Sequence, residues 1–482
     1  MGRGFARRNG ATACLLAALA LGAGAGCTSA GSPATRTASP GQAAASATPA
    51  STSTPAAAVP VLPGRALVSP GCSGATAAGR PLGPAGTTAV AAGRSPFGVA
   101  ATPDGRWAFA TTGGGPGAPA GSVEVIRLTA PAGKGSGPAV TDVRSIPLPA
   151  ATGGSPAGAA VTPDGRYLLV ADGSGVAVVS VARAEAGTAG AVLGTLSAQG
   201  GAGGASRAGG PGGLGGAIEV AVSPDSRFAF VTLEYADEAV VFDLGAALAH
   251  GSGAAGYVGA IPLGNAAVGM AVSPNGRWLY ATSEGAVPGQ HPVGLGSPVG
   301  CAGHVPGTEL GEPAGTLTVI DLRRAETNPA GSVTATVDAG YQPVRVVTAA
   351  DGTQVWVTAR ASDDLLCFSA ARLAADPAHA LVAVARVGSE PVGLAAVRGG
   401  ALLVVADSNR FGASGQNSSL SVVSVSAALA GRPAIVGDLP TGGFPRDMTL
   451  SPDGTLLVSD YTSGRVEAVA TAGLPAAPAA AG

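Results

Sequence analysis

Three ionisable residues, Glu219, Arg345 and Asp447, occupy the same position in three copies of one short repeated phrase. Four other copies have glycine at this position: Gly98, Gly158, Gly269 and Gly393. Two carboxylates and a guanidinium could bind a divalent cation, such as calcium or magnesium, or a polar anionic ligand. They could instead form a structural ion pair, because buried charges are normally paired. Both interpretations require the three residues to meet in the fold.

A second group of polar residues accompanies the repeated phrase. Arg446 lies directly beside Asp447, and seven residues lie near the end of the second apolar run in six of the copies: Asp172, Glu234, Glu284, Arg360, Asp407, Asp460 and Tyr461. For the three aspartates of this group the simpler expectation is a cap on the turn that follows, because Asp accepts hydrogen bonds from nearby backbone N–H groups. The candidate ligand-binding residues are therefore Glu219, Glu234, Glu284, Arg345, Arg360, Arg446 and Asp447.

The phrase that carries these residues predicts a β-hairpin. Its copy at 269–282 reads GMAVSPNGRWLYAT, and further copies begin at Phe97, Ala157, Ile218, Val344, Val392 and Arg446. Each copy has two apolar runs, and most have a turn of the type Ser/Thr-Pro-Asp-Gly between them. Proline presets the first turn position, and glycine accepts the left-handed conformation that closes a hairpin.

Further apolar runs suit a third and a fourth strand after each hairpin, such as GTLTVIDL from Gly315 and YVGAIPLG at 257–264. Seven such units predict an all-β fold, a seven-bladed β-propeller of four-stranded antiparallel blades. Either RALVSPG at 65–71 or TTAVAAG at 87–93 could supply the strand that closes the ring. The start of the first strand and the end of the second lie at one end of the central channel, because the two strands are antiparallel. The candidate residues are therefore expected at this channel mouth.

At this point the sequence resembles a known family, the YVTN-repeat, lactonase-like β-propellers. The resemblance lies in SPFGVAATPDG at 95–105, AVGMAVSPNG at 267–276 and LTVIDL at 317–322, and it extends over about 94–470. It implies a seven-bladed propeller. It leaves the function open, since related propellers have binding, lactonase and redox roles.

Composition excludes some classes of function. The chain has 78 glycines, 38 prolines and only 12% charged residues, which favours many turns and short strands over helices. The formal net charge is -2, and like charges never run beyond a pair. The sequence has no basic cluster that could bind the phosphate backbone of a nucleic acid, so no nucleic-acid partner is expected.

The N-terminus predicts export. Arginines precede the apolar run ATACLLAALALGAGAG and then Cys27, and GAGC at 24–27 resembles a bacterial lipobox, which implies lipidation of Cys27. An ordinary secretory signal is the alternative. The predicted organisation is an export signal at 1–27, a disordered Ala/Ser/Thr/Pro stalk at 28–60, the propeller at 61–472 and a flexible tail at 473–482. The expected location is the outer face of the plasma membrane, or the medium after secretion.

The remaining cysteines and the histidines suggest little chemistry. Cys72 and Cys301 could form a disulfide in an oxidising compartment, whereas Cys367 lies in a strand pattern and is expected to be buried. His291 and His304 share an insertion with Cys301, a grouping that could hold a metal but is more often merely exposed.

The sequence therefore predicts a monomeric binding or scaffold module that uses its channel mouth or rim, with a protein or a small polar ligand as partner. No catalytic set is evident. The alternative is a lactonase-like, metal-dependent hydrolase at the acidic mouth. A third class is a redox partner, although the sequence has no CxxCH haem-attachment motif.

Overall fold

The structure is a computed structural model. It describes residues 61–62, 77–83, 86–114, 121–129, 138–149, 155–173, 175–197, 215–251, 253–285, 315–410 and 418–475. The predicted export signal at 1–27 and the predicted stalk at 28–60 lie outside the described residues. The same holds for Cys27, Cys72, Cys301, His291 and His304. The described residues begin at 61–62, the start of the predicted propeller.

Seven antiparallel β-sheets, each with four strands of one blade, confirm the predicted seven-bladed propeller. Blade 1 comprises Val99–Ala101, Trp107–Thr112, Ser122–Thr129 and Ala139–Pro147. Blade 2 comprises Ala159–Val161, Tyr167–Ala171, Val176–Ser180 and Val192–Leu196, and blade 3 Ala217–Val222, Phe228–Leu233, Glu238–Asp243 and Tyr257–Pro262. Blade 4 comprises Ala267–Val272, Trp278–Ser283, Thr316–Asp321 and Val333–Asp338, and blade 5 Pro343–Thr348, Gln354–Ala359, Asp364–Ser369 and Leu381–Arg386. Blade 6 comprises Pro391–Val397, Leu402–Asp407, Ser419–Ser424 and Ile435–Pro440, and blade 7 Pro445–Leu450, Thr455–Asp460, Arg465–Ala470 and Thr87–Ala91.

The ring closes through an N-terminal strand in blade 7. Thr87–Ala91 pairs antiparallel with Arg465–Ala470, so TTAVAAG supplies the closing strand. The rival segment at 65–71 lies outside the described residues. Because the closing strand and its partners come from opposite ends of the sequence, the ring is held shut by backbone hydrogen bonds between the two ends of the domain.

The chain before the closing strand lies against the outer edges of other blades. Val61–Leu62 pairs in parallel with Thr336 and Val337 at the edge of blade 4. Further on, the backbone of Gly79 donates a 2.6 Å hydrogen bond to Asp438 Oδ2 in blade 6. At the other end, Leu474, which the sequence assigns to the tail, is buried in the core between blades 6 and 7.

The turn chemistry read from the sequence forms the inner hairpins. In blade 1, Thr102 Oγ1 donates to Asp104 Oδ1 at 2.6 Å, and the backbone of Arg106 donates to the same oxygen at 3.0 Å. Gly105 has φ +68, the left-handed conformation the turn requires. Blades 2, 3 and 4 repeat these bonds around Asp164, Asp225 and Asn275.

One-turn helices connect the third and fourth strands of blades 2 to 6: Val181–Ala186, Leu244–Ala249, Leu322–Ala325, Ala370–Ala375 and Val425–Leu429. Each begins after a Ser or Asp whose side chain accepts a backbone N–H of the first turn, which is the N-cap preference of these residue types. Short 3-10 helices occur at Pro329–Gly331, Arg360–Ser362, Pro377–His379, Arg398–Gly400 and Thr471–Gly473. None of the described helices is long and apolar enough to cross a membrane.

The hydrophobic core lies between the blades. Seven clusters of buried side chains each combine residues of two neighbouring blades. One of them joins Val99 and Ala110 of blade 1 to Leu457 and Val466 of blade 7. Because a single blade would expose two apolar faces, this stacking is the source of the stability and fixes where the channel strands begin.

Candidate functional site

Hydroxyl groups fix the second strands of five blades to the channel strand of the next blade at the mouth. Thr282 Oγ1 in blade 4 accepts the backbone N–H of Gly269 at 3.0 Å and donates to the carbonyl of Val344 in blade 5 at 2.7 Å. The same donation occurs in blades 1, 3, 5 and 7, through Thr111, Thr232, Thr358 and Ser459. In these blades the position that carries either glycine or charge is thus held close to the neighbouring blade.

Glycine at this position is a packing requirement in several blades. A Cβ added to Gly269 would lie 2.2 Å from the carbonyl oxygen of Val344, and one added to Gly98 would lie 2.5 Å from that of Ala157. Gly393 has more room, because its nearest neighbour would be Ala406 Cβ at 3.0 Å. Neighbouring channel strands therefore approach closely wherever the position is glycine.

The three charged residues at this position meet across the channel, as both sequence interpretations require. Arg345 Nη1 of blade 5 donates to Glu219 Oε2 of blade 3, and Arg345 Nη2 lies 2.9 Å from Asp447 Oδ1 of blade 7. All three side chains are less than 15% exposed: 13% for Arg345, 12% for Glu219 and 11% for Asp447. Asp447 Oδ2 also accepts the backbone N–H of Val99 at 3.0 Å. This cluster, which we call the floor, joins blades 3, 5, 7 and 1.

The electrostatics of the floor follow from burial and from the sharing of one arginine. Burial raises the pKa of Glu219 above its ordinary value, and the charge on Asp447 raises it further, although Arg345 opposes both effects. The two carboxylates in turn hold the pKa of Arg345 above its ordinary value, because they outweigh its loss of hydration. Arg345 is therefore charged at every physiological pH.

Arg446 lies on an aromatic platform beside the floor. Its guanidinium carbon is 3.9 Å from the centroid of Phe97 and 5.5 Å from that of Phe444. Tyr461 completes the platform, with its ring centroid 5.2 Å from Phe444 and 6.5 Å from Phe97. Cation–π contacts of this kind attract a guanidinium to a ring face, but they satisfy none of its N–H donors.

The hydrogen bonding of Arg446 is incomplete. Its Nε is buried, and no acceptor for it lies within hydrogen-bond distance among the described residues. The same holds for Nε of Arg345. Burial, together with the neighbouring charges of Arg345, Arg410 and Arg360, lowers the pKa of Arg446 to about 10. Arg446 thus retains its charge at neutral pH in surroundings that disfavour it.

The rim above the floor carries an ion pair and a separate carboxylate. Arg360 Nη2 lies 2.9 Å from Glu284 Oε2 and donates to Gln342 Oε1 at 2.7 Å. Gln342 has φ +50, a left-handed conformation that is uncommon for residues other than glycine and that recurs at the equivalent position in blades 1, 4, 6 and 7. Burial raises the pKa of Glu234, as does the charge of Glu284, whereas Arg446 and Arg410 lower it.

A cavity of about 60 Å³ lies within this arrangement. Its apolar lining comes from the residues that directly precede the glycine-or-charge position: Phe97, Ile218, Val268, Val344 and Val392. Its polar lining comes from Glu234, Glu284, Arg345, Arg360, Arg410 and Arg446. Glu219 and Asp447 do not line the cavity themselves, but both are paired with Arg345, which does. The seven residues selected from the sequence are therefore brought together at one place.

The structure corrects the expectation for the aspartates. Asp172 caps the following turn as predicted, because its Oδ1 accepts the backbone N–H of Gly175 at 2.7 Å. For Asp407 and Asp460 the prediction was wrong. Asp407 accepts hydrogen bonds from Ser419 and Ser421 of the third strand. The carboxylate of Asp460 instead accepts from Thr441 at 3.1 Å and shares a hydrogen bond with Glu467.

Sequence reasoning missed Phe97, Phe444 and Arg410. A signal for Phe97 existed, since it is the one aromatic residue at the position before the glycine-or-charge position in the seven copies. Nothing in the repeat indicates Arg410, which follows the second strand of blade 6 and whose guanidinium carbon lies 5.7 Å from the centroid of Phe444.

Two further predictions concern the thiol of Cys367 and a bound metal ion. Cys367 is free and buried, and burial raises the pKa of its thiol to about 12, so it acts as an apolar core residue. Among the described residues, no group of three or more His, Cys, Asp or Glu side chains is arranged to hold a metal ion. The divalent cation stays a prediction.

Comparison with known proteins agrees on the fold. No protein-family model matches the sequence, and no curated protein matches it. Among solved structures, a chain of the Kuenenia stuttgartiensis hydrazine synthase is similar with 17% identity and a TM-score of 0.53, over 79% of this chain and 96% of that chain. A chain of a mitotic checkpoint complex is similar with 13% identity and a TM-score of 0.52, over 80% of this chain and 90% of that chain. At such low identity the likeness establishes a β-propeller and says nothing of the ligand.

Proposed function

We propose that this protein is an exported, lipid-anchored β-propeller that acts as a monomeric binding module through its channel mouth. The N-terminal signal, Cys27 and the stalk support the location, and the charged mouth supports the binding role. A propeller that a stalk holds away from a membrane is suited to presenting such a mouth to solutes or to a partner protein.

The observation that carries the binding role is the cavity above the floor. Arg345 joins Glu219 and Asp447 across the channel, so the mouth has a polar base. Above it, five apolar and six charged residues line the cavity. Ligand sites combine apolar contact with polar groups that fix orientation, and the high share of charge here favours a polar or charged ligand.

The test is a panel of ligand classes in thermal unfolding of the full-length protein. The classes are carboxylates, phosphates, amines, short peptides, sugar lactones and divalent cations. A ligand at a hundredfold its Kd stabilises by about 2.7 kcal/mol, which shifts the Tm of a large domain by a few degrees. Arg446→Gln and Glu284→Gln are the mouth variants, and Arg465→Gln on an exposed position of blade 7 is the matched control.

The proposal requires at least one class to raise the Tm of the wild type and of Arg465→Gln, but not of a mouth variant. If every class leaves the Tm unchanged, or shifts all variants equally, the mouth is not a binding site.

The alternative is a lactonase-like, metal-dependent hydrolase. The floor offers it less support, because the guanidinium of Arg345 occupies the space between Glu219 and Asp447 where a cation would need those carboxylates. A Tm that falls with chelator, recovers with calcium or magnesium and loses this response in Glu219→Ala would favour the hydrolase. Lactone turnover by the metal-loaded protein would then decide for it.

The anchoring is tested separately by Cys27→Ala. With lipidation, the wild type partitions into the detergent phase and the variant into the aqueous phase, because a buried acyl chain contributes about 0.8 kcal/mol per methylene. Equal partitioning of the two proteins would mean that Cys27 carries no lipid.

A further inference from the structure

We propose that the cavity at the channel mouth binds the carboxylate group of a small organic acid, with Arg446 as its principal ligand. This inference rests on the proposed function and names the chemistry that the binding site recognises.

An anionic group fits the donors that the mouth leaves without acceptors. Nε of Arg345 and Nε of Arg446 are both buried, both residues line the same cavity, and neither atom has an acceptor among the described residues. A buried donor without a partner is costly, and more so when it is charged. Because both residues line one cavity, an anion there would bring acceptor oxygens close to both guanidinium groups.

A carboxylate fits better than a phosphate or a sulfate. The Nε and Nη edge of a guanidinium is a planar fork that matches the two oxygens of a carboxylate. Arg345 is paired with Glu219 and Asp447, and Arg360 with Glu284, so much of the positive charge at the cavity is already balanced and a ligand with a single negative charge fits best. The aromatic faces of Phe97 and Phe444 hold the plane of Arg446 in place without using its edge.

The size of the cavity points to a small group as well. A cavity needs about 10–15 Å³ to hold one water, so about 60 Å³ has room for a carboxylate with its first carbons. The ring of Ile218, Val268, Val344 and Val392 provides apolar contact for that carbon. The remainder of a larger acid would lie outside the cavity, against the rim.

The experiment measures Kd by isothermal titration of the full-length protein with acetate, propionate and butyrate. Sodium chloride is kept at equal ionic strength throughout. Phosphate, sulfate and butylammonium serve as the other charge classes. A short peptide with a free C-terminus and its amidated form test whether the carboxylate is better supplied by a polypeptide.

The expected result is binding of propionate and butyrate by the wild type and by Arg465→Gln, with a loss of affinity on the order of 10- to 100-fold in Arg446→Gln. Arg446→Lys should bind more weakly than the wild type, because lysine keeps the charge and loses the planar fork.

Three outcomes would overturn the inference: no binding of any of the three acids, binding that Arg446→Gln leaves unchanged, or binding of phosphate, sulfate or the free-terminus peptide alone. If one of the non-carboxylate classes binds and a mouth variant abolishes it, the proposed binding role stands while the carboxylate fails. If no class binds at the mouth, both fail.

Discussion

The two ends of the inner hairpins differ in how strictly they repeat. At the turn end, the Asp or Asn of blades 1 to 4 accepts a backbone N–H two residues later at 3.0, 3.0, 3.1 and 3.0 Å. At the mouth end, one position holds glycine in four blades and Glu219, Arg345 or Asp447 in the other three. The uniform end serves the fold, because every hairpin needs the same turn. The variable end is where the sequence departs from the repeat to build a site.

The largest change in the free energy of unfolding is expected from Arg345→Met, at the variable mouth end. Removal of the guanidinium leaves Glu219 and Asp447 buried and close together without the partner they share, which should lower the free energy of unfolding by about 3–5 kcal/mol. Denaturant unfolding measures the change. In the triple variant with Glu219→Gln and Asp447→Asn, most of the loss should be recovered. A change below about 1 kcal/mol in Arg345→Met would mean that the floor is not an ionic cluster.

A pH dependence of stability should follow from buried carboxyl groups near the mouth end of the strands. Burial raises the pKa of Asp338, Asp364 and Asp407 to about 7. In the unfolded chain these groups ionise near 3.8, so the unfolded state gains stability as pH rises from there. The free energy of unfolding should therefore fall by a few kcal/mol between pH 4 and pH 7 and change little above it.

The control for this pH dependence is Asp338→Asn, because both carboxylate oxygens of Asp338 are buried and have no hydrogen-bond partner among the described residues. The variant should be more stable than the wild type at pH 8 and should show a weaker dependence on pH. A stability that rises steadily from pH 4 to pH 7 would contradict the account.

A smaller effect should distinguish two glycines at the repeated position. Gly269→Ala places a methyl group 2.2 Å from a backbone carbonyl oxygen and should cost about 1–3 kcal/mol. Gly393→Ala meets Ala406 Cβ at 3.0 Å and the carbonyl oxygen of Arg446 at 3.2 Å, a milder overlap, so its cost should be smaller. Chemical denaturation of the pair provides the comparison, and equal costs would show that strand spacing does not explain the glycines.

Much of the fold could be predicted from the sequence because its determinants are local. Proline, Asp and Gly in each turn and alternating apolar residues fix the hairpins, and seven copies fix the number of blades. The choice of the closing strand could not be predicted, since 65–71 and 87–93 have similar apolar patterns and only tertiary pairing selects the second.

The candidate site could likewise be predicted only where it depends on the repeat itself. That Glu219, Arg345 and Asp447 meet could be inferred, because one position of a repeat recurs at one place in a ring. The platform of Phe97 and Phe444 under Arg446 was not foreseen, since it joins blades 7 and 1 across the closure of the ring. The partners of Asp407 and Asp460 were also missed, because they depend on contacts with other strands rather than with the following turn.

The most direct test of the mouth as a binding site is the unfolding free energy of Arg446→Met without any ligand. A charge held where burial and neighbouring arginines disfavour it is costly, and functional residues are commonly retained at the expense of stability. The account predicts that the variant is more stable than the wild type by about 1 kcal/mol, as apolar replacements of buried charges often are. The exposed control Arg465→Met should change little. A variant less stable than the wild type would show that Arg446 stabilises the fold. It would contradict the claim that Arg446 is retained at the mouth to bind a ligand.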